Sequence, residues 1–160
     1  MKKNSQSKDF EESTFSDTTN WTAIKWHKTK KYVDKLQKRI YRAESENKSR
    51  KVRGLQRIML NSDAALLLAI KKVTQTNKGK RTPGIDGFIA LSDKQRAELF
   101  DTLKNMNIKL HNPQPAYRKY IKKKNGKLRS LGIPAITDRI IQEIIRMALE
   151  PQVEVNFRTH

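Results

Sequence analysis

The sequence predicts an α+β fold: a helical first half, then a basic β-hairpin and a closing helix. Two observations carry this. Apolar residues keep roughly helical spacing in two stretches, Ile24 to Tyr41 and Val52 to Val73, the period of helices with one buried face. Further on, Asn125-Gly126 sits between two short runs of strand formers, the strongest short hairpin signal because such turns need positive φ.

Each element follows from local chemistry. Residues 1–20 are rich in Ser, Thr and Asn, carry three lysines and four acids, and read as a disordered leader with little to bury. Ile24, Val33, Leu36, Ile40 and Tyr41 predict a helix over 23–44, with Trp21 and Trp26 packing its start. Val52, Leu55, Ile58, Met59, Leu66, Leu67, Ile70 and Val73 predict a second over 49–76. Asn61-Ser62 marks a bend or break within it, and Asn77 with Gly79 a stop. Thr82-Pro83-Gly84-Ile85-Asp86-Gly87 reads as a loop, since proline fixes φ and glycine permits positive values. It is not a phosphate-binding Walker loop, because no Gly-Lys-Ser or Gly-Lys-Thr follows. Ser92 with Gln95 three residues on is a capping box opening a helix to about Asn105. Strands are expected over 116–121 and 128–133. A last helix is expected over 138–149, capped by Thr137 and ended by Pro151, with Ile140, Ile141, Ile144, Ile145, Ala148 and Leu149 buried.

Charge narrows the function. The 160 residues hold 35 Lys and Arg against 16 acids, a formal +19, with a sequence pI near 10.3. A domain pI above ~9 is the electrostatic footprint of a nucleic-acid binder. Such a chain gains free energy from a polyanion through counterion release. Between Trp21 and Thr82 there are 18 basic residues and four acids. Between Tyr117 and Arg129 there are seven basic residues and no acid, with Tyr117 and Tyr120 interleaved, a pairing suited to base stacking and phosphate contact together.

Other classes find little support. The chain has no cysteine, which excludes disulfides, thiolate metal sites and a cysteine nucleophile and makes the cytoplasm the default compartment. The longest apolar run, Ala64 to Ile70, is far short of the ~18 residues of a membrane span, so no membrane is expected as partner. His27, His111 and His160 lie in no metal-ligand spacing. The acids Asp86, Asp93, Glu98, Asp101, Asp138 and Glu143 are scattered, whereas two-metal phosphoryl chemistry needs them clustered. No catalytic residue and no metal ligand is expected.

Three stretches together resemble the N-terminal region of group II intron reverse transcriptases, the intron-encoded maturases. Leu36-Gln37-Lys38-Arg39-Ile40-Tyr41 with Val52-Arg53-Gly54-Leu55-Gln56 is similar to the family's N-terminal helices. Residues 60–75 leading into Thr82–Gly87 resemble its extra N-terminal block, the RT-0 region. Residues 121–134 with Asp138-Arg139-Ile140-Ile141-Gln142 resemble its first fingers motif. The resemblance implies a helical N-terminal extension over 21–90, followed by a partial right-hand polymerase fingers subdomain with the basic β-hairpin over 91–160. It implies that Lys123 and Arg129 reach a nucleotide triphosphate, where lysine supplies a point charge and arginine a bidentate fork. It also implies RNA, and group II intron RNA in particular, as partner. The candidate backbone contacts are Lys28, Lys31, Lys35, Lys38, Arg39, Arg42, Arg50, Arg53, Arg57, Lys71, Lys72, Lys80 and Arg81, with Arg118, Lys119, Lys122, Lys124 and Lys127 on the hairpin. The chain departs from the family at Lys122 and Ser130, where proline is common. The family's Mg²⁺-binding aspartates belong to the palm, and no Tyr-x-Asp-Asp box occurs here. The expectation is therefore a piece truncated before the palm, holding no cofactor and inactive alone. The alternatives are half of a split enzyme completed by a palm-thumb chain, or a stand-alone basic RNA-binding adaptor.

Overall fold

The computed structural model describes residues 20–158, so of the predicted leader only Asn20 lies within it. Four helices, a hairpin and a closing helix follow in order. They are α1 (Trp26–Ser45), α2 (Ser49–Leu60), α3 (Asp63–Lys71), α4 (Asp93–Leu103), β1 (Tyr117–Lys122), β2 (Leu128–Ile133) and α5 (Ile136–Arg158). The α+β class is as the sequence predicts.

The first helix starts later than its periodicity suggests. Trp21–Ala23 forms a separate 3-10 turn, capped by Asn20 Oδ1 accepting from the Thr22 N–H at 3.1 Å. Trp21 is buried, and its ring meets Trp26 edge-on at 5.0 Å, so both tryptophans pack the helix start as expected. The long second helix is broken at Asn61-Ser62. Asn61 Nδ2 donates to the Arg57 carbonyl at 2.9 Å, and Ser62 Oγ accepts from the Ala65 N–H at 3.4 Å. These local bonds compete with the helical ladder, closing α2 and opening α3. Beyond α3 the chain takes a π turn, Lys72–Thr76. There Thr74 Oγ1 donates to the Ile70 carbonyl and accepts from Arg96 Nε, while Arg96 also donates to the Leu91 carbonyl. Arg96 is thereby buried with its donors engaged. Both halves of the Ser92/Gln95 capping box are present. The helix it opens ends at Leu103, two residues short of the expected end.

The core forms where α5 packs across α1, α2 and α3. Ile40, Met59, Leu67, Ile70, Phe100 and Ile140 are fully buried in it, each worth roughly 1.5–3 kcal/mol of transfer free energy. The predicted apolar sets are mostly inside, but Ile58, Ile145 and Leu149 are exposed. Four isoleucines spread over two adjacent steps of a helix cannot all face one side. On α5, packing takes Ile136, Ile140, Ile141, Ile144, Met147, Ala148, Pro151 and Val155 and leaves Ile145 outside.

Two expectations fail at α5. It begins at Ile136, so Thr137 lies inside its first turn and is not its cap. Pro151 does not end it, for the helix continues to Arg158. Proline there removes the N–H that the Met147 carbonyl would accept and crowds that carbonyl. The vacancy is filled from another helix: Gln37 Nε2 donates to the Met147 carbonyl at 3.1 Å. Gln56 Nε2 reaches the next carbonyl, Ala148, at 3.4 Å and Gln152 Oε1 at 2.8 Å.

Candidate nucleic-acid interface

On α1 the two faces separate by charge. Thr29, Val33, Leu36, Ile40 and Ala43 are buried. Lys28, Lys31, Lys35, Lys38 and Arg42, also at alternating steps of three and four, are exposed. Side chains so spaced share one helix face, here a row about 21 Å long at 1.5 Å per residue. None of the five is in an ion pair among the described residues. Arg39 is exposed beside the row. Asp34 on the same helix is occupied by Lys30 at 2.6 Å.

On α2, Val52, Leu55 and Met59 are buried. Arg50, Arg53 and Arg57 lie on the opposite side, exposed, with no carboxylate on the helix to meet them. Three other candidates are engaged within the fold. Lys71 Nζ sits 4.0 Å from the centre of the Trp26 ring. Lys72 pairs with Glu143 at 2.9 Å, and Lys80 Nζ donates to the Gln75 carbonyl at 2.9 Å. Arg81 is exposed. Burial pushes the Glu143 carboxyl up, but hydrogen bonds from Arg146 and Lys72 outweigh it and hold the group below its ordinary value. Arg146, bonded to Glu143 and Glu150, is raised in turn.

The hairpin is antiparallel, with Tyr117 opposite Ile133 and Ile121 opposite Arg129. Its turn differs from the two-residue form expected. Lys123 N–H donates to the Lys127 carbonyl at 2.7 Å, and Gly126 N–H to the Lys123 carbonyl at 3.0 Å. The loop is therefore Lys124-Asn125-Gly126, with positive φ at Gly126 and not at Asn125. This is the three-residue hairpin with glycine in the left-handed position. Asn125 contributes instead through Oδ1, which accepts from the Lys127 N–H at 3.2 Å. Apart from Ile133, every strand residue is exposed, including Arg118, Lys119 and Lys122. Lys124 and Lys127 in the turn region are exposed too. Side chains alternate along a strand, so Lys119, Ile121 and, continuing past the strand end, Lys123 lie on one face. Arg129, opposite Ile121, is on that same face. Lys123 and Arg129 are thus diagonal neighbours, while Arg118, Tyr120 and Lys122 occupy the other side.

The Thr82–Gly87 loop is held against the start of α5. Gly84 is buried, and a Cβ there would lie 2.5 Å from Ala135 Cα. Arg139 ties the same junction, donating to the carbonyls of Pro134 (2.8 Å), Thr82 (2.7 Å) and Gly79 (3.2 Å). Burial lowers the pKa of this guanidinium. Below it, His111 Nε2 meets Asp138 Oδ1 at 2.5 Å, and the Gln114 N–H donates to Asp138 Oδ2 at 3.2 Å, tethering the segment that leads into the hairpin. Sequence reasoning missed Arg139 and the His111–Asp138 pair. Asp138 had a signal as an acid in a helix's first turn, but its partner is 27 residues away.

Among the described residues the acids do not form a metal site. Asp86 and Asp93 serve local donors and Asp138 and Glu143 donors distant in sequence, and no group of three His, Cys, Asp or Glu able to hold a metal occurs among the described residues. So arranged, they do not fit Mg²⁺. No helix among the described residues is long and apolar enough to cross a membrane.

Residues 21–103, from the first 3-10 turn to the end of α4, match the N-terminal domain of reverse transcriptase. The chain belongs to this reverse transcriptase N-terminal domain family. Curated relatives match most of its length. Protein YkfC of Escherichia coli strain K12 is 34% identical over 129 residues, covering 79% of this chain and 33% of the relative. Maturase-like protein 1 of Euglena gracilis is 33% identical over 132 residues, covering 82% and 29%. Group II intron-encoded protein LtrA of Lactococcus lactis subsp. cremoris is 36% identical over 125 residues, covering 74% and 20%. This reverse transcriptase N-terminal region thus groups with those of the group II intron reverse transcriptases and maturases, and it spans a third or less of the curated relatives it matches.

Proposed function

We propose that this reverse transcriptase N-terminal region binds the phosphate backbone of RNA, intron RNA being the partner class that its maturase relatives suggest. The observation that carries the reading is the unpaired row Lys28, Lys31, Lys35, Lys38 and Arg42 along the solvent face of α1. In this reading residues 21–90 grip RNA and residues 91–160 are the start of the fingers. Lys123 and Arg129, on one face of the hairpin, contact a nucleotide triphosphate. The chain works in the cytoplasm and does not polymerise alone.

The test is binding of labelled structured intron RNA across a salt series. Each phosphate contact contributes ~0.7–0.9 to the log–log salt slope. Changing the five row residues to glutamine is expected to flatten that slope by about 3–5, with the helical circular dichroism unchanged. An unaltered slope would remove the row from the RNA surface. Equal affinity for intron RNA and a random duplex would favour a general basic adaptor.

A specific feature favours a second reading, completion by a palm-thumb chain. Ile145, Leu149, Val153 and Phe157 are exposed on α5 at steps of four, Phe157 at 79%. Contiguous exposed apolar surface marks an interaction site. Mixing the chain with a separately made palm-thumb chain is expected to give a stable complex with primer-extension activity, and Leu149→Lys with Val153→Lys to abolish both. A complex indifferent to those changes would exclude this face.

A further inference from the structure

Gly54 stands in the middle of α2, where glycine is among the poorest helix formers. Two internal reasons commonly justify a glycine, and neither applies. Its φ is not positive, unlike those of Gly87 and Gly126. Among the described residues nothing lies within 4 Å of where its Cβ would be, whereas Gly84 faces backbone at 2.5 Å. The residue is exposed and weakens the helix without serving any contact among the described residues.

Its surroundings supply a reason from outside. Arg50, Arg53 and Arg57 sit four before, one before and three after it, all exposed. Arg50 and Arg57, four before and three after, border Gly54 directly, and Arg53 continues their stripe one step further round the helix. The helix contains no acid, and none of the three arginines is in an ion pair among the described residues. Ile58, four residues after Gly54, is 46% exposed on the same side. The patch is a bare strip of backbone, flanked by guanidinium forks and one apolar side chain. Planar forks suit phosphate oxygens. A missing Cβ permits a bulky backbone to lie against the helix itself.

We propose that Gly54 marks the closest approach of an RNA strand to this protein: a ribose-phosphate segment lies on the uncovered backbone of α2, with its phosphates between Arg50, Arg53 and Arg57 and the sugar against Ile58. The inference rests on the RNA-binding reading and gives it a contact point. Shape and charge act separately here, and that makes the contact testable.

The experiment compares the full chain with its Gly54→Ala, Gly54→Gln and Arg53→Gln variants, measuring thermal unfolding and RNA affinity over a salt series. Gly54→Ala and Gly54→Gln are expected to raise Tm, by about 2 °C for alanine. Gly54→Gln is expected to weaken RNA binding by roughly tenfold with an unchanged salt slope, because it adds bulk and removes no charge. Arg53→Gln is expected to flatten the slope by about 1. Wild-type affinity in Gly54→Gln would overturn the inference and leave the RNA reading standing. So would a lowered Tm in Gly54→Ala, which would make the glycine structural. Absence of salt-dependent binding by the unaltered chain would overturn the reading and the inference together.

Discussion

Gly84→Ala is expected to cost about 2–3 kcal/mol of stability, lowering Tm by roughly 5–10 °C. The new methyl would stand 2.5 Å from Ala135 Cα, 2.7 Å from Ala135 N and 3.0 Å from Pro134 C. All three are backbone atoms, so no rotamer change relieves the overlap, and either the loop or the start of α5 must move. Arg139 resists that movement by holding Pro134 on one side and Gly79 and Thr82 on the other. Removing its side chain leaves three carbonyls without their charged donor. Arg139→Ala should therefore destabilise by itself, by about 1.5–3 kcal/mol. The two changes act on one junction and should be less than additive, since a loop already released tolerates the methyl. Thermal unfolding of the two single variants and the double variant checks this. A Gly84→Ala protein that melts with the unaltered chain would show that the loop is not seated on α5.

The contrast between Gly84 and the α1 row explains what the sequence made legible. The row is a local property: spacing of three and four within one helix places Lys28, Lys31, Lys35, Lys38 and Arg42 together whatever surrounds them. The capping box at Ser92 and Gln95 is local in the same way. The hairpin was nearly so. Asn125-Gly126 fixed its position but not its register, because glycine in the left-handed position serves a two-residue or a three-residue loop equally. The choice was made by where Lys123 and Lys127 pair. Gly84 looked like a turn residue because the backbone it meets is about fifty positions away. Lys71 and Lys72 counted as free charge until the fold set them against Trp26 and Glu143. What escaped sequence reasoning in each case was a tertiary contact that overrides a local rule.

Pro151 is the sharpest such case, and it yields a cycle of variants. Gln37→Leu should cost about 1–3 kcal/mol, because it leaves the Met147 carbonyl without a donor in a partly buried place. If Gln37 stands in for the N–H that proline lacks, Pro151→Ala should rescue it. The alanine N–H would take the Met147 carbonyl by the ordinary helical bond. In the Pro151→Ala background, Gln37→Leu should then lose most of its effect, a coupling of about 1–2 kcal/mol. Simple additivity would mean that the glutamine packs but does not substitute. The consequence reaches beyond stability. Both glutamines that reach α5 follow a buried leucine, Leu36-Gln37 on α1 and Leu55-Gln56 on α2, so each helix buries one side chain and lends the next to α5. That support keeps α5 continuous through Pro151. Only a continuous helix keeps Val153 and Phe157 in register with Ile145 and Leu149 as one exposed apolar line. A chain that kinked at Pro151 would split that line, so the Gln37→Leu variant should also weaken any complex formed through it, and Pro151→Ala should restore the complex along with the stability.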